Sequence, residues 1–217
     1  VIELIVKALL AYLLGSIVGS LLLGRLRGVD IRTMGSGNAG ATNMLRTQGK
    51  AAALAVLCID LGKGAVATAV LAPLAIAGLS SAGTALHTLV VPACGLAVIV
   101  GHVYPLWYGF RGGKGVATFL GAVLGISTWL MLVMVLTWLT VAVLSGFVGL
   151  ASMAGAAAVA AAIAVRHSSG SPALLAFGIL AALLIMYTHR ANMARMLAGT
   201  EPRARRLWLL GLRRGPG

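Results

Sequence analysis

Apolar residues run through this chain in long blocks, not in the alternating or one-face rhythm of a water-exposed fold. The first block covers about Leu4–Leu23, and a polar connection from Gly24 to Lys50 follows it. Further blocks cover about Ala51–Ala77 and Ala82–His102, parted near Gly78-Leu79-Ser80-Ser81. Pro105 and the Gly112-Gly113 pair then break the pattern. The last block is about Pro172–Tyr187. Between Lys63 and Arg111 lie 47 residues without Lys, Arg, Asp or Glu, and between Lys114 and Arg166 lie 51 more. A membrane helix needs about 20 apolar residues. The pattern therefore predicts an all-α integral membrane protein of one polytopic domain, residues 1–217, with 201–217 as a basic C-terminal tail. Apolar blocks this far along the chain exclude a cleaved signal peptide as their explanation.

The 51-residue stretch from Gly115 to Val165 holds either two long helices or three short ones. Breaks fit at Gly125-Ile126-Ser127-Thr128 and at Ser145-Gly146-Phe147-Val148-Gly149. Charge decides the count. The connection Gly24–Lys50 carries Arg25, Arg27, Arg32, Arg46 and Lys50, the second connection carries Arg111 and Lys114, and seven arginines follow Thr188. These blocks hold 14 of the 17 basic residues. Three helices put all of them on one side, whereas two would send the arginine-rich tail across, against the positive-inside tendency. The expected topology is seven transmembrane helices, with the N-terminus outside and the C-terminus cytoplasmic. Ordered polar loops would form a site on the cytoplasmic side.

Composition agrees. The chain is 60% hydrophobic and 10% charged, with mean hydropathy +1.01. The net charge of +13 would point to nucleic acid in a soluble protein. Here no basic stretch forms a domain of its own, and no nucleic-acid partner is expected. Cys58 and Cys94 read as buried free thiols. Gly15-Ser16 with Gly19-Ser20, and the alanine tract Ala154–Ala162, read as close helix packing. Asp60 and Lys63, three apart inside an apolar block, read as an internal ion pair. The less favoured alternative points Lys63 at an anion site.

Three polar patches carry the candidate chemistry. The first, Gly35-Ser36-Gly37-Asn38-Ala39-Gly40-Ala41-Thr42-Asn43 with Arg46, combines three glycines able to take positive φ with hydroxyl and amide donors and one guanidinium. It reads as an anion nest, against a plain flexible loop that would not need so many donors. It lacks the Gly-Lys-Ser/Thr of a nucleotide-binding phosphate loop. The second, Gly101-His102 through Phe110-Arg111-Gly112-Gly113-Lys114-Gly115, sets two cations about a glycine pair just before a helix. It is either a phosphate grip at a helix N-terminus or an interfacial turn with snorkelling cations. His102 reads as structural. The third sets His189, Asn192 and Arg195 on one helical face. There His189 is a base, a donor or a polar cap. No metal-ligand cluster or serine-histidine-aspartate order is visible. With four acidic residues in the chain, paired-carboxylate chemistry is excluded.

Taken in order, Gly35-Ser36-Gly37-Asn38…Gly40-Ala41-Thr42-Asn43…Arg46, Gly101-His102…Pro105…Phe110-Arg111-Gly112-Gly113-Lys114-Gly115-Val116-Ala117-Thr118, and His189-Arg190-Ala191-Asn192…Arg195…Gly199-Thr200-Glu201 resemble the three motifs of the bacterial acyl-phosphate:glycerol-3-phosphate acyltransferases. The Asp60…Lys63-Gly64 element also fits. The resemblance implies a multi-pass enzyme of the bacterial plasma (inner) membrane, working at the cytoplasmic face. It implies transfer of a fatty acyl group from acyl phosphate to the 1-hydroxyl of glycerol 3-phosphate. The products would be lysophosphatidic acid and inorganic phosphate, in the first acylation of phospholipid synthesis. Substrates and membrane lipids are its partners, and it implies no cofactor.

By the same resemblance Ser36, Arg46, Lys114, His189 and Asn192 surround glycerol 3-phosphate and the reacting centre. Asn38, Thr42 and Asn43, with the backbone of Gly112 and Gly113, hold the acyl-phosphate head. Gly37, Gly40, Ala41 and Arg195 complete the substrate-binding set, and Lys114 bridges the phosphates. The proton acceptor stays open among a donor phosphate oxygen, which is favoured, His189 and Ser36. Two departures stand out. Val18 takes the place where the family often has a helix-bending proline, and Arg111 stands where lysine is common. The tail after Glu201 either binds anionic lipid heads or is disordered. The rival class is a membrane transporter of a phosphorylated anion, disfavoured because the two halves of the chain share no motif.

Overall fold

The computed structural model describes residues 1–76, 86–166, 171–204 and 208. The expected turn at Gly78–Ser81, residues 82–85 and the rest of the basic tail lie outside the described residues. Two compact units divide the chain, Val1–Thr128 and Trp129–Gly217.

The first apolar block is two helices, α1 (Ile2–Gly15) and α2 (Gly19–Leu26), bent by 45°. The bend forms without proline, with Val18 extended at φ −87° and ψ 115°. The polar connection carries α3 (Ala41–Gln48), and α4 (Lys50–Val66) continues as a π turn through Leu71. Then come α5 (His87–Val103) and the short α6 (Val116–Ile126). The second unit contains α7 (Thr128–Ser145), α8 (Val148–Arg166), α9 (Pro172–Thr188) and α10 (Arg190–Leu197), the last bent 55° from α9. The stretch Gly115–Val165 thus holds three helices, broken where the glycines and Ser127 stand. Among the described residues there is no strand.

Four helices are long and apolar enough to cross a membrane, and the two bent pairs raise the number to six. The protein is a multi-pass membrane protein.

In the first unit α1 packs on α5 and α4 on α6. Glycine makes both contacts close. A Cβ on Gly15 would strike the Val98 carbonyl, one on Gly64 the Thr118 carbonyl, and one on Gly121 the Leu61 carbonyl. Backbone thus meets backbone, as the small residues in the spans led one to expect. Gly62, between those contact residues on α4, has open space at its Cβ position. Gly121→Ala should therefore destabilise by about 1–3 kcal/mol through forced separation of the helices. Gly62→Ala should be neutral or gain up to ~1 kcal/mol from helix propensity. Thermal unfolding of the two variants in detergent checks the contrast.

Two charges are buried at the N-terminal end of α1. Lys7 donates to Glu3 Oε1 (2.7 Å) and to the Ala72 carbonyl (2.7 Å) that ends the π turn. Cys94 is buried as expected, but Cys58 is exposed on α4, which corrects the reading of both thiols as buried. In the second unit α8 packs on α9. Gly178 lies against Ala160 and Ile163, and Gly155 against Met134. Trp138 Nε1 donates to Ser152 Oγ (3.3 Å).

Candidate active site

The site candidates divide between the units: Ser36 through Lys114 in the first, His189, Asn192 and Arg195 in the second.

The first polar loop stands on an apolar base. Ile31, Ala39 and Met44 are fully buried against Val18, Leu21, Ala52 and Val56. Hydrophobic burial at three points along a polar loop fixes its path, which excludes the plain flexible loop. Gly35 (φ 56°) and Gly37 (φ 70°) take the left-handed backbone expected of them. Gly40 does not; it is extended at φ −145° and caps α3. Nor do the glycines form a free nest. The N–H of Gly37 donates to the Met34 carbonyl (3.0 Å) and that of Gly40 to the Asn38 carbonyl (2.9 Å).

Asn43 organises this loop. It is 1% exposed, and its Nδ2 donates to the carbonyls of Ile31 (3.1 Å) and Met34 (2.9 Å). Its Oδ1 accepts from the Ser36 N–H (2.9 Å). Asn43 was expected to hold substrate directly; its amide is committed to placing Ser36. The Ser36 side chain stays exposed, and Thr42 and Arg46 lie exposed one turn apart on α3, with Asn38 and Ala41 half-buried beside them. Asn43→Ala should strand three backbone groups, at about 1–3 kcal/mol for each one left unsatisfied. Faster amide exchange confined to residues 31–40 is the expected reading.

The second loop leaves α5 through Pro105. Gly109 (φ 64°) and Phe110 (φ 59°) are both left-handed, and Phe110 is the only non-glycine residue with positive φ among the described residues. Its N–H donates to the Pro105 carbonyl (3.0 Å). The Gly112 N–H donates to the Val103 carbonyl (3.0 Å) and the Gly113 N–H to the His102 carbonyl (3.1 Å). These N–H groups donate to α5 carbonyls, where the expectation gave them to a phosphate. Glycine is needed here for space: a Cβ on Gly112 would strike the His102 carbonyl, and one on Gly113 the His102 ring and the Ala39 carbonyl.

That last contact joins the two loops. Ala39 precedes the N-cap of α3 by one residue, and Gly113 precedes the N-cap of α6, Gly115, by two. Two helix N-termini therefore start beside one contact, with Lys114, half-buried, leading into α6. The first turn of each helix has N–H groups that no intrahelical carbonyl reaches, and both dipoles favour an anion there. Arg32 adds a second tie: its Nη1 donates to the Tyr108 carbonyl (3.1 Å) while Nε and Nη2 grip Asp30. Those hydrogen bonds hold the Asp30 carboxyl below the usual carboxylate range. The pair is accordingly kept above that range and lost only as pH falls through the lowered value. A neighbouring open cleft of about 380 Å³, lined by Leu21, Arg25, Asp30, Arg32, Trp107 and Tyr108, contains none of the expected site residues.

In the second unit His189 caps α10 and is 3% exposed. Its Nδ1 lies 2.8 Å from the Ile185 carbonyl. A carbonyl only accepts, so Nδ1 carries the hydrogen and Nε2 is the basic nitrogen of the neutral ring. Asn192 Nδ2 donates to Glu201 Oε1 (2.6 Å) and Arg195 Nε to Glu201 Oε2 (2.6 Å). Glu201 as their shared anchor was not foreseen, although Gly199-Thr200-Glu201 stands in the third motif. Past Glu201, Arg203 is stacked between Phe147 and Trp208 and donates to the Ser145 carbonyl (3.0 Å). The start of the tail is therefore pinned to the α7–α8 turn; Arg205, Arg206, Arg213 and Arg214 lie outside the described residues.

All four carboxylates of the chain are ion-paired: Glu3 with Lys7, Asp30 with Arg32, Asp60 with Lys63, and Glu201 with Arg195. Among the described residues no cluster of three or more His, Cys, Asp or Glu is placed to hold a metal ion.

Membrane-length helices carrying loops of this kind define a multi-pass membrane protein with ordered polar loops. Comparison with known proteins makes this specific. The glycerol-3-phosphate acyltransferase family model matches residues 5–199, and the chain belongs to that family. It is 42% identical over 195 residues to the glycerol-3-phosphate acyltransferase of Synechococcus sp. (strain CC9902), covering 89% of this chain and 92% of the relative. To that of Rhodospirillum rubrum it is 47% identical over 201 residues, covering 91% and 89%. The crystal structure of PlsY (YgiH), an integral membrane glycerol 3-phosphate acyltransferase in its glycerol 3-phosphate form, superposes with TM-score 0.81 at 35% identity, covering 92% of this chain and 94% of that one. Its lysophosphatidic acid form gives TM-score 0.79 at 34% identity over the same shares. Family membership makes this chain an acyltransferase of glycerol 3-phosphate in phospholipid synthesis.

Proposed function

We propose that the protein takes its acyl group from acyl phosphate and transfers it to the 1-hydroxyl of glycerol 3-phosphate, yielding lysophosphatidic acid and inorganic phosphate. The observation that carries this reading is the meeting of two helix N-termini beside Lys114. Both reactants carry phosphate, and such a junction is suited to dianionic groups. The hydroxyl oxygen bonds to the acyl carbon, the bond from that carbon to the phosphate oxygen breaks, and phosphate leaves. Acyl phosphate has a good leaving group, so a covalent enzyme intermediate is unnecessary. Positioning and charge stabilisation remain for the protein, through Ser36, Arg46 and Lys114 with Asn38 and Thr42. His189 and Asn192 are assigned to the reacting centre on the strength of the shared motifs.

The hydroxyl proton goes to an oxygen of the departing phosphate. The pairing of every carboxylate with a cation supports this, because a paired carboxylate is a weak base. His189 Nε2 is the rival acceptor. Loss of a bell-shaped pH–rate profile in His189→Ala, with substrate binding retained, would assign the proton to His189 instead.

The proposed topology has seven spans, N-terminus outside and C-terminus in the cytoplasm, in a bacterial inner membrane with the active site on the cytoplasmic face. The charge distribution supports it. The seventh span is α6, whose 11 residues rise only ~16 Å against a hydrocarbon core of about 30 Å. One end of α6, with the loop attached to it, must then lie below the membrane surface, where an acyl chain is within reach. The test against a transporter is phosphate release in detergent without vesicles. An enzyme supplied with both substrates releases phosphate; a transporter does not.

A further inference from the structure

The break between α1 and α2 lies inside an apolar region, and a broken helix leaves carbonyls and N–H groups without partners. One turn of α4 supplies them. Lys63 Nζ donates to the carbonyls of Gly15 (2.8 Å) and Ile17 (2.7 Å), on the α1 side. Asp60 Oδ1 accepts from the Gly19 N–H (3.1 Å), at the start of α2. The two side chains pair at 3.0 Å, each 3% exposed or less. Lys63 is therefore not aimed at an anion site. Its Nζ also lies 2.9 Å from His102 Nδ1, which in turn lies 3.4 Å from Asp60 Oδ1.

His102 belongs equally to the second polar loop. Its carbonyl accepts from the Gly113 N–H, and the Nε2 edge of its ring stands where a Gly113 Cβ would be, leaving no room for one. The Ala39 carbonyl of the first loop borders the same Cβ position. A planar ring bonded at one edge and pressed on glycine at the other works as a spacer of fixed width. Lys114 is the next residue along.

We propose that His102 is a positioning residue for acyl transfer: anchored by Lys63 and Asp60 at the helix break, it sets where Gly113, and hence Lys114, stands against the first loop. This rests on the assignment of Lys114 to the reacting phosphates. A displacement of about an ångström at such a group costs up to ~100-fold in rate.

The test compares His102→Leu, which removes the ring nitrogen that faces Lys63 and Asp60, with His102→Asn, whose amide can stand in for Nδ1 as acceptor or donor. Per folded molecule, assayed with acyl phosphate and glycerol 3-phosphate, His102→Leu should lose roughly 10- to 100-fold in kcat, with little change in KM for either substrate. Exchange at the Gly112 and Gly113 amides should quicken, although their backbone acceptors remain in every variant. His102→Asn should recover part of both. In a Lys114→Met background, His102→Leu should add little, because both changes act on one group. Gly113→Ala, which presses the ring from its other side, should repeat the kcat signature if His102→Leu does not fold. Unchanged kcat with loop amides still protected, or a fully additive loss in the Lys114→Met background, would overturn the proposal. Lack of turnover by the unmodified protein would instead count against the acyl-phosphate reading, while the exchange data still judge the spacer.

Discussion

Lys114→Met is expected to lower acyl transfer by about 100- to 1,000-fold, the usual cost of removing one preorganised group that stabilises developing charge. The lysine has that leverage because of where the backbone puts it. It follows a glycine pair whose N–H groups are tied to α5, and it leads into the N-terminus of α6. A methionine of similar length keeps the packing of the stem and removes the ammonium. Arg111, exposed on the same loop, supplies the control. If general positive charge on the loop sufficed, Arg111→Met would cost as much as Lys114→Met; the expected result is an effect typical of a surface substitution. Initial rates of phosphate release, normalised to folded protein, make the comparison.

Asp60→Ala is expected to be the most damaging single change to the fold, at about 3–5 kcal/mol, because it leaves the Lys63 ammonium buried without its counter-charge. The Gly19 N–H at the start of α2 also loses its acceptor. Removing both charges together, in Asp60→Leu with Lys63→Met, should cost less than Asp60→Ala alone, since no isolated charge stays behind. Thermal unfolding in detergent reads the order. A double variant worse than the single one would mean that capping of the helix break outweighs the pairing of the charges.

Much of this fold was legible in the chain. Long uncharged blocks marked the spans, and Ser127 with Gly146 marked the breaks that make three helices of Gly115–Val165. Asp60 and Lys63 were readable as a pair because membrane burial leaves charges few alternatives. The bend after Gly15 was not legible. Its usual local cause, proline, is replaced by Val18, and the freed backbone groups are satisfied by side chains more than 40 residues away. Tertiary partners of this kind leave no local pattern.

The polar loops show the same division. Their residue types announced anion chemistry, but not which atoms were already committed. Asn43 looked like a phosphate donor until its amide proved to be spent on Ile31, Met34 and Ser36. Gly112 and Gly113 looked like phosphate-binding backbone, yet they are glycines because His102 and Ala39 leave no room for more. Glu201 drew no attention as a lone carboxylate, and it anchors both Asn192 and Arg195. In each case composition told what a residue can do, and only geometry told what it is occupied with.

The most direct measurement follows labelled glycerol 3-phosphate in detergent, with the pure protein and one acyl donor at a time. With acyl phosphate, lysophosphatidic acid and inorganic phosphate should appear in equal amounts, and neither should form when glycerol 3-phosphate is left out. Folded protein that makes lysophosphatidic acid from an acyl thioester but not from acyl phosphate would contradict the account.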